Sequence, residues 1–336
     1  MTHIAVVILN YNGSDLLRKF LPSVIAYSPS AQVIVVDNGS SDNSLEVLKD
    51  EFPHVAVIRI DTNLGYCGGY NFALRKVEAD YFLLLNSDVE VTPGWLTPLQ
   101  KSLDENPSAA AVMPRILSYN DKSHFEYAGA AGGFIDTLGY PFCRGRLFYF
   151  MEEDQGQYND ACEIFWSSGA CMMVRSAQFH EVGGFDEDFF AHMEEIDLCW
   201  RLQRAGHTIL YTGESVVYHV GGGTLPVSSP RKTYLNFKNG LSLIYKNMPT
   251  SELIYKFPLR IVLDWIAAIK FAFSGASAAS KAVLTAHWHF FGNFSKERAR
   301  RAKSYSLGFR KLPTLFTGSV VWRFFIKGVR KYSELK

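Results

Sequence analysis

The chain has 336 residues, 48% of them hydrophobic and 14% aromatic, which excludes a disordered chain, a collagen-like fibre and a small disulfide scaffold. Its net charge is only +1, but residues 1–228 carry 14 Lys/Arg against 29 Asp/Glu, a net of −15, while residues 229–336 carry 20 against 4, a net of +16. Opposite halves that cancel point to a surface that meets an anionic partner, nucleic acid or membrane. The five cysteines are widely spaced and form no CxxC pair, which fits a reduced, cytosolic setting and not a zinc site.

Taken in chain order, the start THIAVVILNYNG reads as a first strand, with no basic region to mark a signal peptide. Short apolar runs at 4–9, 33–36, 55–60 and 81–85 read as buried strands. Helices are expected near 14–27, over 43–51 after a run of N-cap residues, over 69–78, and from Pro93 to about 105. This alternation means βαβ units, a mostly parallel sheet, and a ligand site at the carboxyl ends of the strands. Those ends are polar: Asn10–Gly13, Asp37–Ser41, Asp61–Gly65 and Asn86–Asp88. Residues 128–170 are Gly-rich and aromatic and predict irregular hairpins. A helix follows over 194–206, acidic at its start and stopped by Gly206. Strands are expected at 208–212 and 215–219. After Pro230 the chain becomes basic, aromatic and helical, so a boundary is placed near 228.

Several residues in this frame can carry chemistry. Asp37 either caps the next helix or hydrogen-bonds a nucleotide. Gly65, Gly68 and Gly69 allow close backbone approach to a phosphate at a helix start, or simply make a tight turn. Asp88 can hold a hard divalent cation that bridges to phosphate oxygens, or can serve as a turn residue. Glu194, Glu195 and Asp197 form the densest carboxylate cluster. One of the glutamates suits a general base, whereas Asp197 is expected to pair with Arg201 one turn on. His219, before the glycines 221–223, is a candidate metal or phosphate ligand next to a loop that could fold over a diphosphate.

The segments VVILNYNG (6–13), VIVVDNGSSD (33–42), NLGYCGGYN (63–71), LLLNSDVE (83–90), SSGACMMVRS (167–176), GGFDEDFF (183–190), EEIDLCWRLQRAG (194–206) and VYHVGGGT (217–224) together resemble the inverting family 2 glycosyltransferases of the GT-A fold, close to the rhamnosyltransferase-like group. The resemblance covers about 1–224. It implies an α/β, Rossmann-like domain over 1–228 that binds a nucleotide-sugar donor, followed by the helical basic region 229–336. It places Asn10, Asp37, Asn63, Gly65, Asn86 and Asp88 at the donor, and Ser168, Gly169 and Ala170 on the acceptor side. Asp88, helped by His219, would hold Mg²⁺ or Mn²⁺; Glu195 would be the base, with Glu194 in reserve. The chain departs from the family pattern where Asn86 stands for the first Asp of DxD and Glu195 for the usual Asp. The implied acceptor is a glycan or polyprenyl-diphosphate-linked glycan in cell-surface polysaccharide synthesis. A catalytically impaired donor-binding or scaffold protein of the same fold is the alternative.

The aromatic residues interleaved with the charges of 229–336, with Lys296, Arg298, Arg300, Arg301 and Lys303 as the tightest cluster, favour an anionic membrane surface over nucleic acid, since no nucleic-acid-binding motif is present. The expected location is cytoplasmic, peripheral at the inner face of the cell membrane. Run 257–273, interrupted by Arg260, Asp264 and Lys270, is expected to lie on a bilayer rather than cross it.

Overall fold

The computed structural model describes residues 2–221, 229–310 and 312–335. The first half alternates as expected: β1 (Ile4–Asn10), α1 (Ser14–Tyr27), β2 (Ala31–Asn38), α2 (Ser44–Glu51), β3 (Ala56–Ile60), α3 (Gly65–Leu74) and β4 (Tyr81–Asn86). Then come β5 (Val89–Val91), α4 (Leu96–Glu105) and β6 (Ala109–Ser118). The irregular segment holds β7 (Gly133–Asp136), β8 (Pro141–Cys143), β9 (Arg146–Leu147), β10 (Phe150–Met151) and β11 (Ala161–Ile164). After it come β12 (Cys171–Arg175), α5 (Ser176–Glu181), α6 (Glu194–Ala205) and β13 (Thr208–His219). The basic region contributes α7 (Pro230–Asn247), α8 (Thr250–Phe273), α9 (Ser277–Gly292), α10 (Phe294–Tyr305), β14 (Leu315–Phe316) and α11 (Val320–Phe325).

Nine strands form the central sheet, in the order β11-β13-β6-β12-β4-β1-β2-β3 with β5 against β13. The run β4-β1-β2-β3 is parallel, and β4, β1 and β2 are buried through their centres, as helices on both faces require. Strand β12 enters antiparallel between β4 and β6. The register sets the site: Asn10 lies opposite Asp37, and Leu9 opposite Asn86. The polar ends of β2, β1 and β4 are therefore side by side on one edge. His219, at the end of β13, reaches the same edge by pairing with Val89 of β5.

Three local expectations are corrected. The two strands expected at 208–212 and 215–219 are one strand, β13, with a register shift between Thr212 and Val216. Helix α3 starts at Gly65 and not near 69, because the Asn63 side chain accepts the Gly65 N–H at 2.8 Å and starts the helix there. The strand expected to be buried at 55–60 is the edge strand β3, buried only at Ile60. The C-terminal region is helical as expected and adds the short β14, which pairs in parallel with β7 in a second, five-stranded sheet among the described residues. The boundary expected near 228 lies outside the described residues, as do 222–224 of the last matched segment and most of the glycine run 221–223.

The basic region is packed on the acidic one through buried ion pairs. Lys246 of α7 meets Asp186 at 2.6 Å and Asp197 at 2.9 Å, and Arg300 of α10 meets Asp186 at 3.0 Å. Arg301, also expected on the charged surface, is buried with its guanidinium on the Met248 carbonyl and the Thr250 hydroxyl. Of the tightest basic cluster, Lys296 pairs with Asp188 at 2.6 Å. Three cations of the basic half, Lys246, Lys296 and Arg300, are thus spent on three acids of the other, Asp186, Asp188 and Asp197.

Candidate active site

The site is built on the aligned strand ends. Asn10 is fully buried and donates to Asp37 at 3.4 Å and to the Ser40 hydroxyl at 3.3 Å, while its own Oδ1 has no hydrogen-bond partner. Asp37 is also buried and accepts the Ser40 N–H at 3.2 Å. Asn63 is used locally: besides capping α3 it accepts from Asn38 at 3.2 Å. Gly65 has φ +71°, and a Cβ there would lie 2.6 Å from the Phe190 ring. Its close neighbour is the protein's own 189–193 loop, whose Phe190 carbonyl accepts the Tyr66 N–H at 3.0 Å. This glycine seats that loop.

Asp88 and His219 meet at one end of the site, with Asp88 Oδ1 3.1 Å from His219 Nε2. The other ring nitrogen lies 3.2 Å from Glu126 Oε2. Burial would push this imidazole down, but the charges of Glu126 and Asp88 outweigh it and hold its pKa at about 10. Asn86 places its amide 3.5 Å from His219 Nε2. Among the described residues no set of three or more His, Cys, Asp or Glu side chains is placed to cage a metal ion. The donor set fits a divalent cation held partly by substrate oxygens: the Asp88 carboxylate and His219 Nε2 lie at ligand spacing, the ion would take the place of the Nε2 proton, and the Glu126 carboxylate stands on the other side of the ring.

Glu194 and Glu195 open α6 behind a strained entry. Phe190, His192 and Met193 all have positive φ, at 61°, 69° and 74°. Asn239 of α7 holds this turn by donating to the carbonyls of Phe189, Ala191 and His192 at 3.0, 2.9 and 2.8 Å. Each glutamate has a buried Oε2 with no hydrogen-bond partner. Burial pushes both carboxyls up. Glu194 rises well above its ordinary range, raised further by the Glu195 charge. Glu195 is pushed up to about 7, restrained by the backbone N–H groups of the helix start. A base at that value can take a proton near neutral pH. Asp197 behaves differently: it accepts from Arg201 at 2.8 Å, Lys246 at 2.9 Å and Asn247 at 2.7 Å. Against the cost of burial, Lys246 and Arg201 hold its carboxyl far below its ordinary range. It is structural, as its spacing to Arg201 indicates.

The segment 168–170 is tied to the sheet. Ser168 Oγ donates to the Ala128 carbonyl and accepts the Ala170 N–H at 3.1 Å, and the Gly169 carbonyl accepts the Tyr66 hydroxyl at 2.8 Å. The Ser168 hydroxyl is buried and engaged within the protein. Tyr66 spans from this segment to the acidic pair: burial, Tyr70 and the charges of Glu194 and Glu195 all push its phenol up. Sequence reading missed Tyr66, Glu126 and Asn239. Tyr66 lay within a matched segment, Glu126 in an irregular stretch without periodicity, and Asn239 in a basic helix where a lone asparagine gives no signal.

The glycosyl transferase family 2 model matches residues 5–183, more than half of the chain. The chain belongs to glycosyl transferase family 2. It is therefore an enzyme of the glycosyltransferase class, with the GT-A-like arrangement described above. It is 29% identical over 233 residues to the N-acetylglucosaminyl-diphospho-decaprenol L-rhamnosyltransferase of Mycobacterium tuberculosis, covering 64% of this chain and 75% of that one. The rhamnosyltransferase WbbL of Escherichia coli is 26% identical over 215 residues, covering 61% and 79%. Among solved structures, the mannosyltransferase PcManGT of Pyrobaculum calidifontis, in complex with GDP-Man and Mn²⁺, superposes with a TM-score of 0.53 at 13% identity, covering 91% of this chain and 86% of that one. That likeness is one of fold.

Proposed function

We propose that this glycosyl transferase family 2 enzyme moves a sugar, rhamnose being the leading candidate, from a nucleoside-diphosphate sugar to a hydroxyl of a glycan or polyprenyl-diphosphate-linked glycan, with inversion. The observation that carries this reading is the pair of adjacent glutamates, Glu194 and Glu195, each with a buried Oε2 that makes no hydrogen bond, with Glu195 tuned to about 7. The names of the mycobacterial and E. coli relatives support the sugar and the lipid-linked acceptor.

In this mechanism Glu195 takes the proton of the acceptor hydroxyl as its oxygen attacks the anomeric carbon. The carbon–oxygen bond to the diphosphate breaks on the opposite face, so the configuration inverts. Asp88 and His219 are the residues that would hold Mg²⁺ or Mn²⁺, which when bound neutralises charge on the leaving diphosphate. Glu126 fixes the His219 ring, and Asn239 holds the turn that aims Glu195. Asn10 and Asp37 face the donor nucleotide, with the unpartnered Asn10 Oδ1 available to it. Gly169 and Ala170 border the acceptor side, positioned by the anchored Ser168.

The basic region seats the enzyme on an anionic membrane surface at the cytoplasmic face. Among the described residues no helix is long and apolar enough to cross a membrane. Helix α8 instead buries Arg260, Asp264 and Ala268 and exposes Tyr255, Leu259, Val262, Ile266, Ile269 and Phe273 along its opposite face. Helix α9 exposes Leu284, Trp288 and Phe291 at the same helical spacing. Lys270 lies 4.5 Å above the Phe325 ring of α11, so α11, which exposes Trp322 and Ile326, continues this surface.

A thermal-shift panel of nucleotide sugars, each with and without Mn²⁺, tests the donor assignment. A selective, metal-dependent rise in Tm for one donor is the expected result. A flat response to every nucleotide sugar would refute it.

A further inference from the structure

A further charged group has no part in the mechanism above. Arg146 of β9 is only 6% exposed, yet it pairs with no carboxylate among the described residues. Its Nη1 donates to the Phe148 carbonyl at 3.2 Å, its Nη2 to the Cys143 sulfur at 3.3 Å, and its buried Nε donates to nothing. A buried guanidinium is ordinarily matched by an anion. Arg144, Arg201, Arg260 and Arg300 of this chain are so matched. The buried Arg204 and Arg301, which have no carboxylate partner among the described residues, instead give their donors to several carbonyl and hydroxyl oxygens.

Lys232 lies beside Arg146, since both cations stack on the Tyr127 ring, at 5.6 and 4.5 Å from its centre. It is half-buried, and it too makes no ion pair among the described residues. Burial and the Arg146 charge push its ammonium down, against an opposing pull from Glu126. Glu126 is the nearest anion, but its Oε2 is taken by His219 and the Ala128 N–H, and it makes no ion pair with Arg146 or Lys232 among the described residues. Residues 222–228, GGTLPVS, contain no acid that could supply a partner.

The helix that carries Lys232 adds to the imbalance. The first turn of α7 holds Arg231 and Lys232 and no acidic residue, and no side chain caps it. Two cations at the positive end of an 18-residue helix are unfavourable unless an anion joins them. The Tyr127 ring, shared by both cations, sets the location, and their charges act on residues to either side. His192, two residues before Glu194, is pushed down to about 4 by burial and then by the Lys232 charge. On the other side, burial raises the Cys143 thiol against the pull of Arg146, and Glu126 and Glu195 both add to the rise.

We propose that Arg146 and Lys232, together with the first turn of α7, form a subsite for a diphosphate anion at the Tyr127 ring, next to Glu126 in the chain. Two substrates of the proposed reaction carry that group: the nucleotide sugar and a polyprenyl-diphosphate-linked acceptor. The inference rests on the glycosyltransferase reading for its substrates, but the anion chemistry can be tested without turnover.

The test is calorimetric titration of the full chain with inorganic pyrophosphate, a nucleoside diphosphate and a short-chain prenyl diphosphate. Wild type is compared with Lys232→Gln and Lys232→Arg. Lys232 is chosen over Arg146 because it is half-buried and unpaired, so its loss leaves the core intact. Wild type should bind pyrophosphate, Lys232→Gln should bind it about tenfold more weakly, and Lys232→Arg should retain affinity. A loss confined to the prenyl diphosphate assigns the subsite to the acceptor, and one confined to the nucleoside diphosphate assigns it to the donor; either supports the subsite. A folded Lys232→Gln protein that binds all three as tightly as wild type overturns the proposal, as does a wild type that does not bind pyrophosphate. Pyrophosphate binding that depends on Lys232 in a protein that transfers no sugar would sink the transferase reading while leaving the subsite in place.

Discussion

Glu194 and Glu195 show how neighbouring residues of one type are given different environments. Both are forced up by burial, but the helix-start N–H groups favour the charged form of Glu195. A folded-state pKa of about 7, against an ordinary value of 4.5, means that the protonated form is favoured by folding. The stability this contributes is complete below about pH 4.5 and is lost as pH rises through 7. Glu195→Gln should therefore stabilise the protein at pH 8, by on the order of 2–3 kcal/mol, and have little effect at pH 4.5. Paired denaturant titrations at the two pH values check this, and equal effects at both would count against the assigned environment. The departure at Asn86 leaves Asp88 as the single carboxylate of its triplet. Asp88→Asn should lower the affinity for Mn²⁺ in the presence of donor by tenfold or more, measured by titrating the ion against the thermal shift.

At the scale of elements, the decisive contact joins α7 to the entry of α6. Asn239 satisfies three carbonyls of a turn whose residues adopt left-handed backbone. Asn239→Ala removes this donor from the Ala191 and His192 carbonyls, while the Phe189 carbonyl keeps the Ala191 N–H, and should cost about 2–3 kcal/mol of stability. Its more telling effect should be a fall in kcat of at least tenfold with donor affinity nearly unchanged, because the base is misaimed and not removed. The parallel strands, and most of their helices, were legible in the sequence because buried β-branched runs and cap residues report local structure directly. The shared edge of Asn10, Asp37 and Asn86 followed from that topology. Glu126 and Asn239 were not legible, since their roles arise from contacts between segments far apart in the chain. Gly65 was legible as a close approach, but its partner, Phe190, could be identified only in the folded chain.

For the whole molecule, the charge asymmetry of the sequence divides into two parts. One part is internal: Lys246, Arg300 and Lys296 neutralise Asp186, Asp188 and Asp197. The composition could not separate these from surface cations, because pairing depends on which helix faces meet. The other part accompanies the apolar faces of α8, α9 and α11. Phe273 and Trp288 are 90% and 77% exposed, so replacing them with serine should leave folding unchanged. Each replacement should weaken binding to anionic vesicles by about tenfold, reflecting the apolar area withheld from lipid. Vesicle flotation measures this, and unaltered flotation of the double variant would remove these faces from the membrane contact. Equal lack of binding to anionic and neutral vesicles by wild type would remove the membrane itself.

The central claim is that Glu195 removes the acceptor proton during sugar transfer. It is tested most directly by single-turnover transfer with Glu195→Gln, alongside a measurement of donor binding by the same protein. Transfer should fall by at least a thousandfold while donor affinity stays within a few-fold of wild type. Transfer at near wild-type rate by that variant would contradict the assignment.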